Sequence, residues 1–200
     1  MINELVLASG NKGKLSEMQA LLAPAGISVE PMSLYTEQSP EETGLSFVEN
    51  AIIKARHVAA VSGKAALADD SGLEVDALSG RPGIYSARFA GAHASDSDNN
   101  ALLLELMEDV ETERRSARYH CVMVLMRTPS DPMPLICSAS WEGQILYAPQ
   151  GNNGFGYDPL FYVPDLQCSA AELDKVHKNR ISHRAKALRT LMSTLGLATD

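Results

Sequence analysis

Ala65-Ala66-Leu67-Ala68-Asp69-Asp70-Ser71-Gly72 sets two adjacent carboxylates directly after a short apolar run. The run reads as a short buried strand, and the aspartates leave it. Successive strand residues point to opposite faces, so only one aspartate can look into a given cleft while its neighbour is free to orient the loop. If Asp70 is the working carboxylate, it suits holding a hard divalent cation or polarising a water, both tasks for oxygen at a rigid strand end. The alternative is an Asx-turn in which both aspartates bond backbone amides. The stretch by itself leaves both open.

Two hundred residues, 45% hydrophobic and 21% charged, suffice for one compact globular unit, with room for two lobes, and carry no bias toward disorder. The formal charge of −8 argues against nucleic-acid binding, which usually shows as a basic excess or stripe, so an anionic ligand must meet a local basic cluster. Cys121, Cys137 and Cys168 are an odd set without metal-ligand spacing, which fits a reduced, cytoplasmic compartment. Met1-Ile2-Asn3-Glu4 lacks a basic leader, and no apolar run approaches membrane-spanning length, so an unexported protein without membrane contact is expected.

Upstream, Leu5-Val6-Leu7-Ala8 reads as a buried strand, and Ser9-Gly10-Asn11-Lys12-Gly13-Lys14 turns it into a helix with Leu15, Met18, Leu21 and Leu22 on one face. Strand, glycine loop and helix together present backbone N–H groups and a positive dipole end, and Lys12 and Lys14 add charge, so an anion site is physically accessible. The loop is not a Walker motif, because Gly10 lies too close to Gly13-Lys14 and Leu15 stands where Ser or Thr is required. An ordinary turn with exposed lysines satisfies the same residues. Ile27 to Pro31 reads as a second strand, and the polar loop from Tyr35 to Gly44 carries Glu37, Glu41 and Glu42, a charge run of the kind found on solvated surface. Ser46-Phe47-Val48-Glu49 has capping-box spacing ahead of a helix that runs to about Val61. Spacing puts Asn50, Lys54 and His57 on its exposed face, where a phosphate would fit if that face bordered a cleft.

Downstream, Gly80-Arg81-Pro82-Gly83 is a turn cluster before Ile84 to Phe89, and Ser95 or Asp96 caps a helix through Met107. Arg118 to Met126 is near-continuously apolar, hence central to a sheet, and Leu135 to Glu142 pairs with it as a hairpin; His120 reads as a satisfied sheet histidine. Gly151-Asn152-Asn153-Gly154-Phe155-Gly156-Tyr157-Asp158-Pro159 is a second glycine loop, without a dinucleotide fingerprint because Pro159 takes the sixth position. In it Phe155 can stack on a base and Asp158 can accept from ring N–H groups, or Phe155 can simply fill the core. Ser169-x-x-Glu172 is a further capping box. Ser182 caps a terminal helix that carries His183 and Arg184 in its first turn, where cations oppose the dipole unless an anionic or carbonyl-bearing ligand faces them.

Taken together, Ser9 to Lys14, Ser46 to Ala55, Ala68 to Leu73, Pro82 to Arg88, Gly154 to Pro159 and Ser182-His183-Arg184 follow one another as in the inosine triphosphate pyrophosphatase family. The chain resembles that family over nearly its whole length, and specifically its bacterial members that hydrolyse dITP, ITP and XTP. The resemblance implies an α/β fold with an elongated mixed β-sheet flanked by helices, one domain over 1–200 with two lobes and a central active-site cleft, and a homodimer. It implies a purine nucleoside triphosphate as partner and Mg2+ as cofactor. It further implies that Ser9, Gly10, Asn11, Lys12, Gly13 and Lys14 cradle the triphosphate and that Lys54 and Lys178 pair with phosphate oxygens. Glu42 and Asp70 would hold the metal, Asp70 activating the attacking water with Asp69 in support, while Ser71 touches substrate. Phe155, within Phe155-Gly156-Tyr157-Asp158, would stack on the base, and Asp158, His183 and Arg184 would read its edge.

Donors from His183 and Arg184 aimed at a purine 6-oxygen would meet the amino group of adenine and be left unpaired, at about 1–3 kcal/mol per group. Guanine carries the same 6-oxo group, so its rejection does not follow. The related septum-formation (Maf-like) nucleotide pyrophosphatases share the architecture, but the Ser182-His183-Arg184 segment and the Phe155 loop argue against them. A nucleotide sensor without turnover would have no need of Asp70 and Glu42 beside a polyanion.

Overall fold

Leu5, Val6 and Leu7 are all buried, as the middle of a strand with neighbours on both sides must be. The computed structural model describes residues 2–197. Its strands are Glu4–Leu7 (β1), Ser28–Pro31 (β2), Ala66–Val75 (β3), Ser116–Met126 (β4), Leu135–Ile145 (β5), Phe161–Val163 (β6) and Cys168–Ser169 (β7). Its helices are Lys12–Leu22 (α1), Phe47–Ser62 (α2), Asp96–Leu106 (α3), Lys175–Ile181 (α4) and His183–Thr194 (α5). The strands form a mixed sheet in the order β2-β1-β3-β4-β5-β6-β7, and β4 takes the central place its apolar run predicts. β1 is parallel to β2 and to β3, whereas β6 is antiparallel to β5 and to β7. The α/β class with a mixed sheet and flanking helices is thus the observed one.

Among the described residues two compact units separate. The first comprises residues 2–70, 121–138 and 187–197, the second residues 71–120 and 139–186. In the first, Ala51, Ala55, Val58 and Ala59 of α2 meet Val6, Ala66, Ala68, Val124 and Met126 of the strands. The alanines let the helix approach closely, at the cost of little side-chain volume. The second has a bulkier core of Leu73, Val75, Leu103, Met107, Tyr119, Trp141, Tyr157 and Phe161. A Cβ on Gly143 would come within 2.5 Å of the Phe161 ring, so only glycine admits that contact. Among the described residues no helix is long and apolar enough to cross a membrane.

Three local expectations change, and one segment, Gly83 to Arg88, takes a form that the sequence did not specify. β3 does not end at Ala68 but continues through Asp69-Asp70-Ser71-Gly72 to Val75, so the aspartates stand in mid-strand and the Asx-turn is excluded. Hydrogen bonding to the sheet outweighs the turn preference of Asp, Ser and Gly. Gly83–Arg88 is a 3-10 helix. Ser46 caps α2, but Glu49 bonds Leu45 N at 2.9 Å and Ser46 Oγ at 2.7 Å. At Ser169 the Glu172 carboxylate accepts from Ser169 N at 2.7 Å, yet no helix starts there because Ser169 Oγ donates to Gln150 O; Asp174 caps α4 instead.

Candidate active site

In the first unit, the strand alternation of β3 sends Asp69 and Asp70 to different partners. Asp69 pairs with Lys14 at 2.8 Å, and Asp70 pairs with Lys54 at 2.6 Å. Lys54 Nζ also lies 3.1 Å from Glu42 Oε1, so one ammonium joins two carboxylates that are 28 residues apart in sequence. Burial pushes the Asp70 carboxyl up from its ordinary value, against the pull of Lys54. For Lys54 burial works the other way, but the charges of Asp70, Glu42 and Asp69 outweigh it and hold the ammonium above the ordinary lysine value. This corrects the exposed face expected for Asn50 and Lys54: Asn50 is fully buried, and the Lys54 side chain retains only 13% of its exposure.

Ahead of α1, Asn11 is the N-cap, and its Oδ1 accepts from Gly13 N at 2.8 Å and Lys14 N at 3.1 Å. Asn11 N in turn donates to Ser9 Oγ at 3.2 Å. The loop therefore already has an acceptor on two amides of the first helical turn, which an anion would displace or extend. Gly10, Lys12 and Gly13 are exposed.

In the second unit, Asp158 is the hub. Its Oδ2 accepts from Phe155 N at 2.8 Å and pairs with Lys178 Nζ, and Tyr119 Oη lies 3.5 Å from its Oδ1. Gly154 has φ +79, and a Cβ there would strike Asp158 Oδ2, so the turn requires glycine. Phe155 is 49% exposed, which excludes the core-filling alternative, and it carries Lys178 Nζ 4.8 Å and Arg184 Cζ 5.7 Å from its ring centroid. Gly156 is held on both sides, its N–H donating to Asp96 Oδ2 at 2.6 Å and its carbonyl accepting from Asn100 Nδ2 at 2.8 Å. Tyr157 is buried and donates to Ser86 O at 2.8 Å, an anchor for the loop.

His183 and Arg184 open α5 and are both buried. The His183 ring stacks on Tyr119, with centroids 4.7 Å apart and planes 13° apart, and Arg184 reaches Ser71 Oγ at 3.4 Å. Burial, with the negative charge of Asp158, raises the Tyr119 phenol far above its ordinary value, so it stays a donor.

Each predicted residue therefore falls into one of two sets. Ser9 to Lys14, Glu42, Lys54, Asp69 and Asp70 belong to the first unit; Ser71, Phe155, Gly156, Tyr157, Asp158, Lys178, His183 and Arg184 belong to the second. Lys178 stands with Asp158 and Phe155. Asn50 belongs to the polar face that the sequence placed with Lys54 and His57, but its burial and its bond to Gly44 are not legible there. Tyr119, Asp96 and Asn100 carry no site signal in the sequence, because nothing near them in the chain reveals what they touch.

Among the described residues, no three His, Cys, Asp or Glu side chains gather to hold a metal unaided. Glu42 and Asp70 nevertheless converge on one cation, the Lys54 ammonium, with two hard oxygen donors. That donor set fits Mg2+, which is bound through one or two carboxylates and otherwise keeps water or takes phosphate.

A profile of the Ham1 family matches residues 5–194. The chain is 55% identical over 194 residues to the dITP/XTP pyrophosphatase of Vibrio cholerae, with 97% of each chain covered. It is 54% identical over 196 residues to that of Pseudomonas aeruginosa, with 98% of each covered. A HAM1 protein from Coxiella burnetii has a TM-score of 0.92 at 52% identity, covering 98% of this chain and 99% of that one. The Staphylococcus aureus Ham1 protein has a TM-score of 0.87 at 40% identity, covering 96% and 98%. The order of motifs, the mixed sheet and these full-length likenesses agree, and the chain belongs to the Ham1 family.

Proposed function

We propose that this protein is a nucleoside triphosphate pyrophosphatase that hydrolyses deaminated purine nucleotides, dITP, ITP and XTP or dXTP, to the monophosphate and pyrophosphate. The observation that carries this reading is the Glu42–Lys54–Asp70 cluster, a cation held by two carboxylates beside a lysine-rich loop. Lys14 and Lys54 each have a carboxylate partner in the structure. A polyanion drawn to these lysines would be repelled by their partners unless a second cation took the carboxylates over. Glu42 and Asp70 would hold that ion, Mg2+, which supplies neutralisation of phosphate charge and polarisation of water.

The chain's own groups then divide the work. Lys14 and Lys54 bind phosphate oxygens, with the Ser9 to Lys14 loop around them, and stabilise charge as it moves onto the departing pyrophosphate. Asp70, whose burial favours taking up a proton, accepts one from the water that attacks the α-phosphorus, and Asp69 keeps Lys14 in place. In the second unit Phe155 stacks on the base, while Asp158 holds Phe155 N and Lys178 so that the ring and its neighbours stay oriented. His183 and Arg184 donate to the 6-oxygen, with Tyr119 beneath the imidazole. A cytoplasmic homodimer is the assembly we infer from the same resemblance.

Purified protein incubated with dITP and Mg2+ should release pyrophosphate and dIMP in equal amounts. Release of single phosphates would overturn the proposal, as would undiminished turnover by Asp70→Asn, for which we expect a loss of at least about a hundredfold with ITP binding retained.

A further inference from the structure

The segment that carries Glu42 has no regular structure, yet one helix holds its donors in turn. Gly44 N donates to Asn50 Oδ1 at 2.9 Å, while Leu45 N at 2.9 Å and Ser46 Oγ at 2.7 Å both donate to Glu49 Oε2. Lys54, one turn beyond Asn50 on the same side of α2, reaches Glu42 itself. Asn50 is fully buried, where asparagine is seldom found. Gly44 lies so close that an added Cβ would come to 2.7 Å from Asn50 Oδ1 and 2.6 Å from Glu49 Cβ. Asn50 Nδ2, by contrast, has no hydrogen-bond partner among the described residues.

A buried donor without an acceptor costs free energy that an apolar residue of similar shape would avoid. The side chain is therefore retained for its other end, the acceptor for Gly44. Aspartate would supply the same acceptor without the orphaned donor, but it would add a negative charge near Glu42 and Asp70 and compete for Lys54. We propose that Asn50 is a positioning residue for Glu42: it fixes the backbone two residues beyond the carboxylate, so that Glu42 and Asp70 are presented to one cation. The proposal rests on the reading of Glu42 and Asp70 as cation ligands.

The test uses the full-length, metal-free protein and two readouts besides turnover. Hydrogen exchange at the Gly44 amide should quicken about tenfold in Asn50→Ala, since the opening of that hydrogen bond is then unopposed. Asn50→Asp, which keeps the acceptor, should restore near-parental exchange. Mn2+ binding, followed by electron paramagnetic resonance without nucleotide, should weaken about fivefold in Asn50→Ala, the equivalent of one lost hydrogen bond. Gly44→Ala, which drives a Cβ into the same contact, should reproduce both effects and serves if Asn50→Ala does not fold. Unchanged Gly44 exchange in Asn50→Ala would overturn the proposal, as would unchanged Mn2+ affinity with a loosened loop. If the parent protein takes up no Mn2+, the cation reading of Glu42 and Asp70 fails, and Gly44 exchange alone decides the role of Asn50.

Discussion

Replacing Lys54 with methionine keeps the aliphatic stem in place but removes the ammonium that joins Asp70 and Glu42. The side chains of Lys54 and Asp70 retain 13% and 12% of their exposure and Glu42 29%. Breaking a buried pair costs about 3–5 kcal/mol and an exposed one at most about 1 kcal/mol, so this partly screened cluster should lose about 2 kcal/mol. For a chain of this size that lowers Tm by about 4–8 °C. Because the folded pKa of Lys54 lies above its ordinary value, its contribution is fully present below the ordinary lysine pKa and is lost only as pH rises through the folded one. A melt at neutral pH therefore sees all of it.

The same substitution carries a second, sharper consequence. Mg2+ at about ten times its dissociation constant stabilises by about 1.4 kcal/mol. In the parent protein the ion competes with Lys54 for both carboxylates, whereas in Lys54→Met it meets them unpaired. The Tm gain with Mg2+ should thus be larger in the variant, and the gap between the two proteins should narrow. Scanning calorimetry with and without Mg2+ reads both effects. A drop below about 1 °C, or equal gains with Mg2+ in the two proteins, would refute the assignment of Glu42 and Asp70 to one cation site.

Two further outcomes concern the second unit. Phe155→Ala should raise KM for ITP roughly tenfold with little change in kcat, the loss expected for one stacked base, and steady-state kinetics with unaltered KM would remove Phe155 from base binding. Asp76 accepts from Arg118 at 2.7 and 2.9 Å and from Ser116 Oγ at 2.6 Å, which holds its pKa at about 2 rather than 3.8. A depressed carboxylate adds stability above its unfolded pKa and loses it as pH falls through the folded one, so Asp76 contributes at neutral pH and ceases to below about pH 2. Carboxyl carbon NMR of Arg118→Ala should find the Asp76 midpoint raised from about 2 toward 3.8, with the Ser116 hydrogen bond still holding it below that value, and a midpoint still near 2 would contradict Arg118 as the largest cause.

What the chain's own order of residues determined was local. Side-chain period and caps located β1, α1, α2, α3 and α5, the last three because Ser46, Ser95 and Ser182 act within three residues of themselves. The apolar run of β4 likewise foretold its central place, and the ordered motifs pointed to the family before any side chain was placed. Tertiary structure alone decided the rest. Asp69 and Asp70 became strand rather than turn because the sheet supplies hydrogen bonds their neighbours in sequence do not. Glu42, which charge patterning assigns to the surface, pairs with Lys54, a residue 12 positions away on α2, and Gly44 of the same loop bonds Asn50 of that helix. The same holds for Tyr119 under His183 and for Lys178 beside Asp158, contacts across 64 and 20 residues. Local sequence fixes which residues can cap, alternate or bury a face, whereas the pairing of charges depends on which segments burial brings together, and that is settled by the packing of the whole fold.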